Sequence, residues 1–329
     1  MAKNRFPALR LWLSALLITF SLLSSVSGAH VITWVPSYFI NQSKTMLNTD
    51  FGGVGMGDGV THLALQFWGP TSTNGSLGYV SNGGATGTDA DVAWFQNWGA
   101  TNNADILLCI YNGATGWDWP TVSTIIGNST TRTTFIDNLV AEMLRLNLDG
   151  IEVDLEGPQV TKTTEGNNFI AFMTELSQKV RAQGKLLTIA TFASQWHTPG
   201  TQHWNSLFPL VDLITSMGYE ETGINGAGNL SYAGQKALAG SNFDKLALGM
   251  PTYVAGDGWL GSTTLQQVSW AVDNGVGIGI WDCSLGDGNG SANSFWRTST
   301  IWNKIAQIKG VTTQYTITSS AGTGGSISP

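Results

Sequence analysis

Two hydrophobic patterns alternate along the chain from residue 30 to about 310. Short β-branched and apolar runs recur as HVITWVPSYF, THLALQFWG, ADILLCIYNG, DGIEVDLEG, KLLTIATFA, LVDLITSMGY, KLALGMPTYV and GVGIGIWDCS, each of strand length. Segments of helical period lie between them, clearest at RTTFIDNLVAEMLRLN and EGNNFIAFMTELSQKVRAQG. In the second, Phe169, Phe172, Met173, Leu176 and Val180 fall on one helical face, and Gly184 supplies a stop. Eight strands alternating with helices over about 280 residues predict an α/β fold of the (β/α)8 TIM-barrel type. An open doubly wound sheet is the competing arrangement, but eight units of similar length favour closure. Only 21 residues separate Tyr253 from Gly275, too few for an inserted domain between strands seven and eight.

The fourth run departs from the others. In DGIEVDLEG, Glu152, Asp154 and Glu156 alternate strictly with Ile151, Val153 and Leu155. Successive side chains of a strand point to opposite faces, so the three acids share one side. In a barrel that side is the packed centre, and the active site lies at the C-terminal strand ends. Glu156 is thus expected at the mouth, with Asp154 and Glu152 descending inward. Burial and mutual repulsion raise the pKa of such acids, which leaves one of them protonated as a general acid at neutral pH. Asp154 and Glu156 are roughly 6.6 Å apart along the strand and reach a substrate from the same side.

At these residues the sequence resembles the family 18 glycoside hydrolases, the chitinase family. Asp149-Gly150-Ile151-Glu152-Val153-Asp154-Leu155-Glu156 is similar to that family's DGxDxDxE strand. MGYE at 217–220, LALGMPTY at 246–253 and GIGIWD at 277–282 look like its motifs on strands six, seven and eight. The resemblance implies a (β/α)8 barrel, and the short Tyr253–Gly275 spacing leaves no room for the α+β insertion domain that deep-tunnel members carry, so an open groove and cutting inside a chain are expected. The resemblance also implies cleavage of β-1,4 bonds between N-acetylglucosamine units, retaining and assisted by the 2-acetamido group, as the family is an exception to two-carboxylate catalysis. Glu156 would protonate the leaving oxygen and later activate water, with Asp154 holding the acetamido N–H. Glu152 would partner Asp154, Tyr219 would bond the acetamido oxygen, and Trp281 would lie beneath the sugar. Met217, Glu220, Tyr253 and Tyr111 fall in the same motifs and are expected at the substrate. Three departures stand out: Glu152 and Glu220 each replace an Asp, and Cys109-Ile110-Tyr111-Asn112-Gly113 replaces Ser-x-Gly-Gly on strand three.

Composition sharpens the picture. Charged residues make up 11% of the chain, so the acid row is not a chance cluster, and 14 Trp supply flat faces suited to sugars. Trp68, Trp117, Trp119 and Trp196 sit at strand ends or in the following loops, as platforms for further sugars or lids over the core. Residues 1–29 read as a signal peptide, with Lys3, Arg5 and Arg10 before LWLSALLITFSLL and small residues up to Ala29. Removing them leaves twelve basic against 22 acidic residues, a net charge of −10. A secreted monomer is expected, acting on chitin or its oligosaccharides, with no nucleic-acid or membrane partner. Residues 30–310 form the catalytic barrel, and the Gly-, Ser- and Thr-rich 311–329 reads as a linker or the start of a further module. Cys109 and Cys283 allow one disulfide or two buried thiols. No metal or cofactor is expected. Three rival readings remain: an endo-β-N-acetylglucosaminidase acting on N-glycans, a sugar-binding barrel without catalysis, and copper chemistry at an N-terminal His30, for which His62, His197 and His203 offer no obvious partner.

Overall fold

The computed structural model describes residues 29–157, 163–195, 197–286 and 293–310. The expected leader, apart from Ala29, the expected linker and Trp196 lie outside them. Among the described residues nine strands form: β1 (Val31–Pro36), β2 (His62–Pro70), β3 (Leu77–Tyr79), β4 (Asp105–Tyr111), β5 (Gly150–Asp154), β6 (Leu186–Phe192), β7 (Leu213–Met217), β8 (Leu246–Pro251) and β9 (Gly277–Trp281). Eight are parallel and pair in the order β1-β2-β4-β5-β6-β7-β8-β9, and β9 pairs back to β1, closing a (β/α)8 barrel. Each matches one apolar run of the sequence. Strand β3 does not: it pairs antiparallel with β2 beyond a turn at Asn74 and Gly75, with Gly75 at φ +88°. Three residues are too few to show a period.

Two hydrophobic clusters explain the alternation along the strands. Ile32, Trp34, Ala64, Leu107, Cys109, Ala190, Leu213 and Ala247 fill the barrel interior. Residues of opposite parity, such as Leu63, Leu108, Ile151, Val153, Ile189, Leu248 and Ile280, pack outward beneath the helices. Phe169, Phe172, Met173, Leu176 and Val180 are buried on one face of the helix Thr163–Ala182. The helix Ser129–Arg145 starts where Asn128 accepts the backbone N–H groups of Thr130 and Thr131. Between β8 and β9 the chain carries the single helix Thr264–Asp273 and turns, with no inserted α+β domain.

Candidate active site

β5 delivers the acids as its alternation requires. Glu152 and Asp154 lie inside the barrel at 0% and 2% exposure, while Ile151, Val153 and Leu155 face the helices. Glu156 stands two residues past the end of β5 and lies at the mouth. Its backbone is held by Asn112, the residue after β4. The Asn112 side-chain Nδ2 donates to the Glu156 carbonyl (3.0 Å), and the Glu156 N–H donates to Asn112 Oδ1 (2.9 Å). The amide thereby extends the β4–β5 ladder one step past the last main-chain pair, Tyr111 with Asp154.

Each inner acid has its own donor. Asp154 Oδ2 accepts from Gln66 Nε2 on β2 (2.8 Å). Glu152 Oε2 accepts from the hydroxyl of Thr188, its neighbour in the β5–β6 register. The other oxygens, Asp154 Oδ1 and Glu152 Oε1, are buried without a hydrogen-bond partner. The sequence led us to expect Glu152 beside Asp154 as its partner. The structure instead ties Glu152 to Thr188, and the two acids interact through their fields.

Those fields set the protonation. Burial, then the charge of Asp154, hold Glu156 well above the usual carboxylate range. Burial raises Asp154 to about 6, opposed by the Gln66 bond. Burial also lifts Glu152 well above its ordinary value, opposed by Thr188 and assisted by Asp154. Burial and the charge of Asp154 thus bias Glu156 toward its protonated form, while the Gln66 bond favours the anion of Asp154. The Tyr219 phenol is pushed up by burial and by Asp154 and Glu156, so it remains a hydrogen-bond donor.

Aromatic residues complete the mouth. Tyr219 opens a tight turn after β7 in the left-handed backbone region (φ +36°), which costs a non-glycine residue about 1 kcal/mol or more. Gly249 on β8 makes room for it: a Cβ there would lie 2.4 Å from the Ser216 carbonyl oxygen and 3.3 Å from the Tyr219 ring. Trp281 ends β9, its ring centroid 6.4 Å from Tyr219 and 6.0 Å from Trp34. Gly279, two residues earlier, leaves the interior to Trp34 and Thr215; a Cβ there would meet Thr215 Cγ2 at 2.4 Å. The Trp281–Asp282 peptide is cis, and the Thr252 hydroxyl donates to its carbonyl oxygen and accepts its N–H, both at 2.9 Å.

Two open cavities adjoin at Tyr219 and Trp281. One, of about 310 Å³, brings together Glu156, Met217, Tyr219, Glu220 and Tyr253, with His197 stacked on Phe192 at its wall. The other, of about 430 Å³, gathers Tyr111, Trp117 and Trp281 with Tyr38, Gln66 and Asn82. Glu220 stands exposed at the rim, and Trp117 is 50% exposed. A third cavity of about 470 Å³, bordered by Asp105, Asn147 and Asp149, lies at the opposite, N-terminal strand ends.

Two expected platforms are not at the mouth. Trp68 is fully buried in the outer layer, its indole N–H donating to Glu142 (3.1 Å). A register shift between Gln66 and Trp68 explains this: the bulge breaks the alternation, so Phe67 and Trp68 both turn outward. Trp119 is buried at the start of the helix Trp119–Gly127, near Phe169 (6.5 Å) and bonded to Glu165 (3.1 Å). Trp196 falls outside the described residues. Gln66, Tyr38 and Thr188 carry no reading from sequence, while Asn112 enters it only within the departing strand-three motif and His197 only as a histidine without an obvious partner. Only Gln66 left a signal there, as a long polar side chain inside HLALQFW.

His30 packs edge-on against His62 (5.2 Å) at the N-terminal strand ends, away from the acids. Among the described residues no group of three or more His, Cys, Asp and Glu is placed to hold a metal. Both cysteines are free and buried. No described helix is long and apolar enough to cross a membrane.

Comparisons with known proteins agree with this geometry. The chain is 24% identical over 302 residues to chitinase A1 of Niallia circulans, covering 79% of this chain and 40% of that protein. It is 31% identical over 119 residues to the killer toxin subunits alpha/beta of Kluyveromyces lactis, covering 32% of this chain and 10% of that protein. The chain thus spans well under half the length of either relative. The fold matches a solved chitinase from the chitin utilization locus of Flavobacterium johnsoniae with a TM-score of 0.61 at 20% identity, over 86% of this chain and 95% of that one. The model of glycosyl hydrolases family 18 matches residues 35–321, and with the acid strand and closed barrel in place, this chain belongs to that family.

Proposed function

We propose that this chain is a secreted chitinase that cuts β-1,4 bonds between N-acetylglucosamine units within the polymer, with retention. The observation that carries the reading is the placement of Asp154 and Glu156 on one face of the β5 segment, where burial and the charge of Asp154 push Glu156 above the usual carboxylate range. Both reach a sugar from the same side, so neither is placed opposite the other across the scissile bond.

In this reading Glu156 gives its proton to the leaving glycosidic oxygen. The 2-acetamido carbonyl oxygen of the same sugar attacks the anomeric carbon and forms a cyclic oxazolinium. Asp154 accepts the acetamido N–H and offsets the positive charge, and Tyr219 donates to the acetamido oxygen. Glu156, now a carboxylate, takes a proton from water, which opens the ring from the same face. Two inversions give net retention. The two open cavities flanking the acids, and the lack of a domain between β8 and β9, favour binding along a chain over capture of its end. The leader-like residues 1–29 support secretion.

The test is the first product. Chitin tetramer or hexamer cleaved by the intact protein is expected to appear initially as the β-anomer by NMR, with internal cuts in the product lengths. Glu156→Gln is expected to lower kcat by about 10²–10⁴-fold. Initial α-anomer would overturn substrate assistance. Cleavage of N-glycans but not of chitin oligomers would reassign the enzyme as an endo-β-N-acetylglucosaminidase, and cleavage of neither would leave a binding barrel.

A further inference from the structure

Gln66 is a long amide in an otherwise apolar strand, and 2% of it is exposed. A buried amide is costly unless bonded, and this one gives its Nε2–H to Asp154 across the intervening strand β4. It is the last inward residue of β2 before the bulge that turns Phe67 and Trp68 outward. Bulges beside sites re-aim side chains, and here the break in alternation leaves Gln66 at the cavity that also holds Trp281 and Tyr111.

Meanwhile the acid expected to hold Asp154 is engaged elsewhere. Glu152 accepts from Thr188 on β6, and among the described residues Gln66 is the one hydrogen-bond donor to Asp154. We propose that Gln66 is the positioning residue of Asp154: its amide fixes one carboxylate oxygen and favours the anion, a task the inner acid does not perform in this chain. The proposal deepens the chitinase reading and rests on it for the meaning of the kinetics, though not for the titration described below.

Among the described residues every titratable group whose charge acts on Asp154 is itself an acid. They are Glu152 on β5 and Glu156 beyond it, Cys109 and Tyr111 on β4, Tyr38 after β1 and Tyr219 after β7. No cation among them competes with the amide for the role. Removing an N–H donor from a carboxylate disfavours its charged form, so Asp154 should ionise at higher pH without Gln66.

The experiment compares the intact protein with Gln66→Met, which keeps length and volume but donates nothing, and Gln66→Leu, a smaller apolar side chain that also donates nothing. Asp154 is followed by carboxyl ¹³C NMR across pH, alongside kcat and KM on chitin hexamer. In Gln66→Met the Asp154 titration and the acid limb of kcat/KM are expected to rise together by about one pH unit. On the acid side kcat should then fall about tenfold, with KM within about twofold. Gln66→Leu, which likewise donates nothing, should move the titration in the same direction, and it decides the matter where Gln66→Met does not fold. An Asp154 titration unchanged in a folded variant overturns the proposal. Should the intact protein cleave no chitin oligomer, the proposed function fails while the titration still decides the role of Gln66.

Discussion

Glu152 is a carboxylic acid wholly removed from water, and its protonation links the interior to stability. Burial raises its folded-state pKa, as does the nearby Asp154. The sign follows from linkage: the folded state holds a proton that the unfolded state has released. Stability from this group is complete below the ordinary carboxylate pKa and is lost as pH rises toward the folded value. Glu152→Gln carries a neutral amide whose oxygen still accepts from Thr188. It is expected to raise Tm at pH 8, by about 2–4 °C for each kcal/mol recovered, with the gain shrinking to nothing by pH 4. Calorimetry at both pH values checks this, and equal gains at both would show that Glu152 is not protonated on folding. At this scale the acid row was fully legible, because period two and charge are both properties of the string. The partners were not: Thr188 and Gln66 meet the acids only because β6 and β2 come to lie one and two strands from β5.

Among elements, β2 and the end of β5 carry the lesson. Strict alternation would aim Trp68 into the barrel, but one extra residue at the bulge sends it under the helix Ser129–Arg145. Trp117, in the loop after β4, stands at the cavity with Trp281 instead. The two tryptophans therefore predict opposite phenotypes. Trp68→Ala should cost about 3–5 kcal/mol of stability with KM little changed. Trp117→Ala should leave Tm in place and raise KM for long oligomers about three- to tenfold, the range of a stacking contact. Denaturant melts and steady-state kinetics on both variants separate them; a KM effect from Trp68→Ala with unchanged stability would contradict its buried position. A bulge leaves little trace in composition, which is why Trp68 and Trp117 read alike in the sequence.

At the scale of the molecule, closure decides which residues are interior. Cys109 faces the barrel centre on β4 and Cys283 follows β9, both buried and unpaired. Thiol labelling without reductant is expected to find no reactive cysteine in the folded protein and two per chain once it is unfolded. Recovery of no thiol after unfolding would establish a disulfide instead. Closure also joins β9 to β1, so Trp281 comes within ring contact distance of Trp34 although 247 residues separate them in sequence.

The sequence by itself determined the eight strands, the inward row of Glu152, Asp154 and Glu156, and the lack of room for a domain between β8 and β9. Each of these is a matter of local period, charge or chain length. Only the tertiary structure decided that Thr188 holds Glu152, that Gln66 holds Asp154, that Asn112 clamps Glu156, and that Trp68 and Trp119 serve the core. Those outcomes depend on inter-strand register, a bulge and helix packing, which bring together residues from distant parts of the chain.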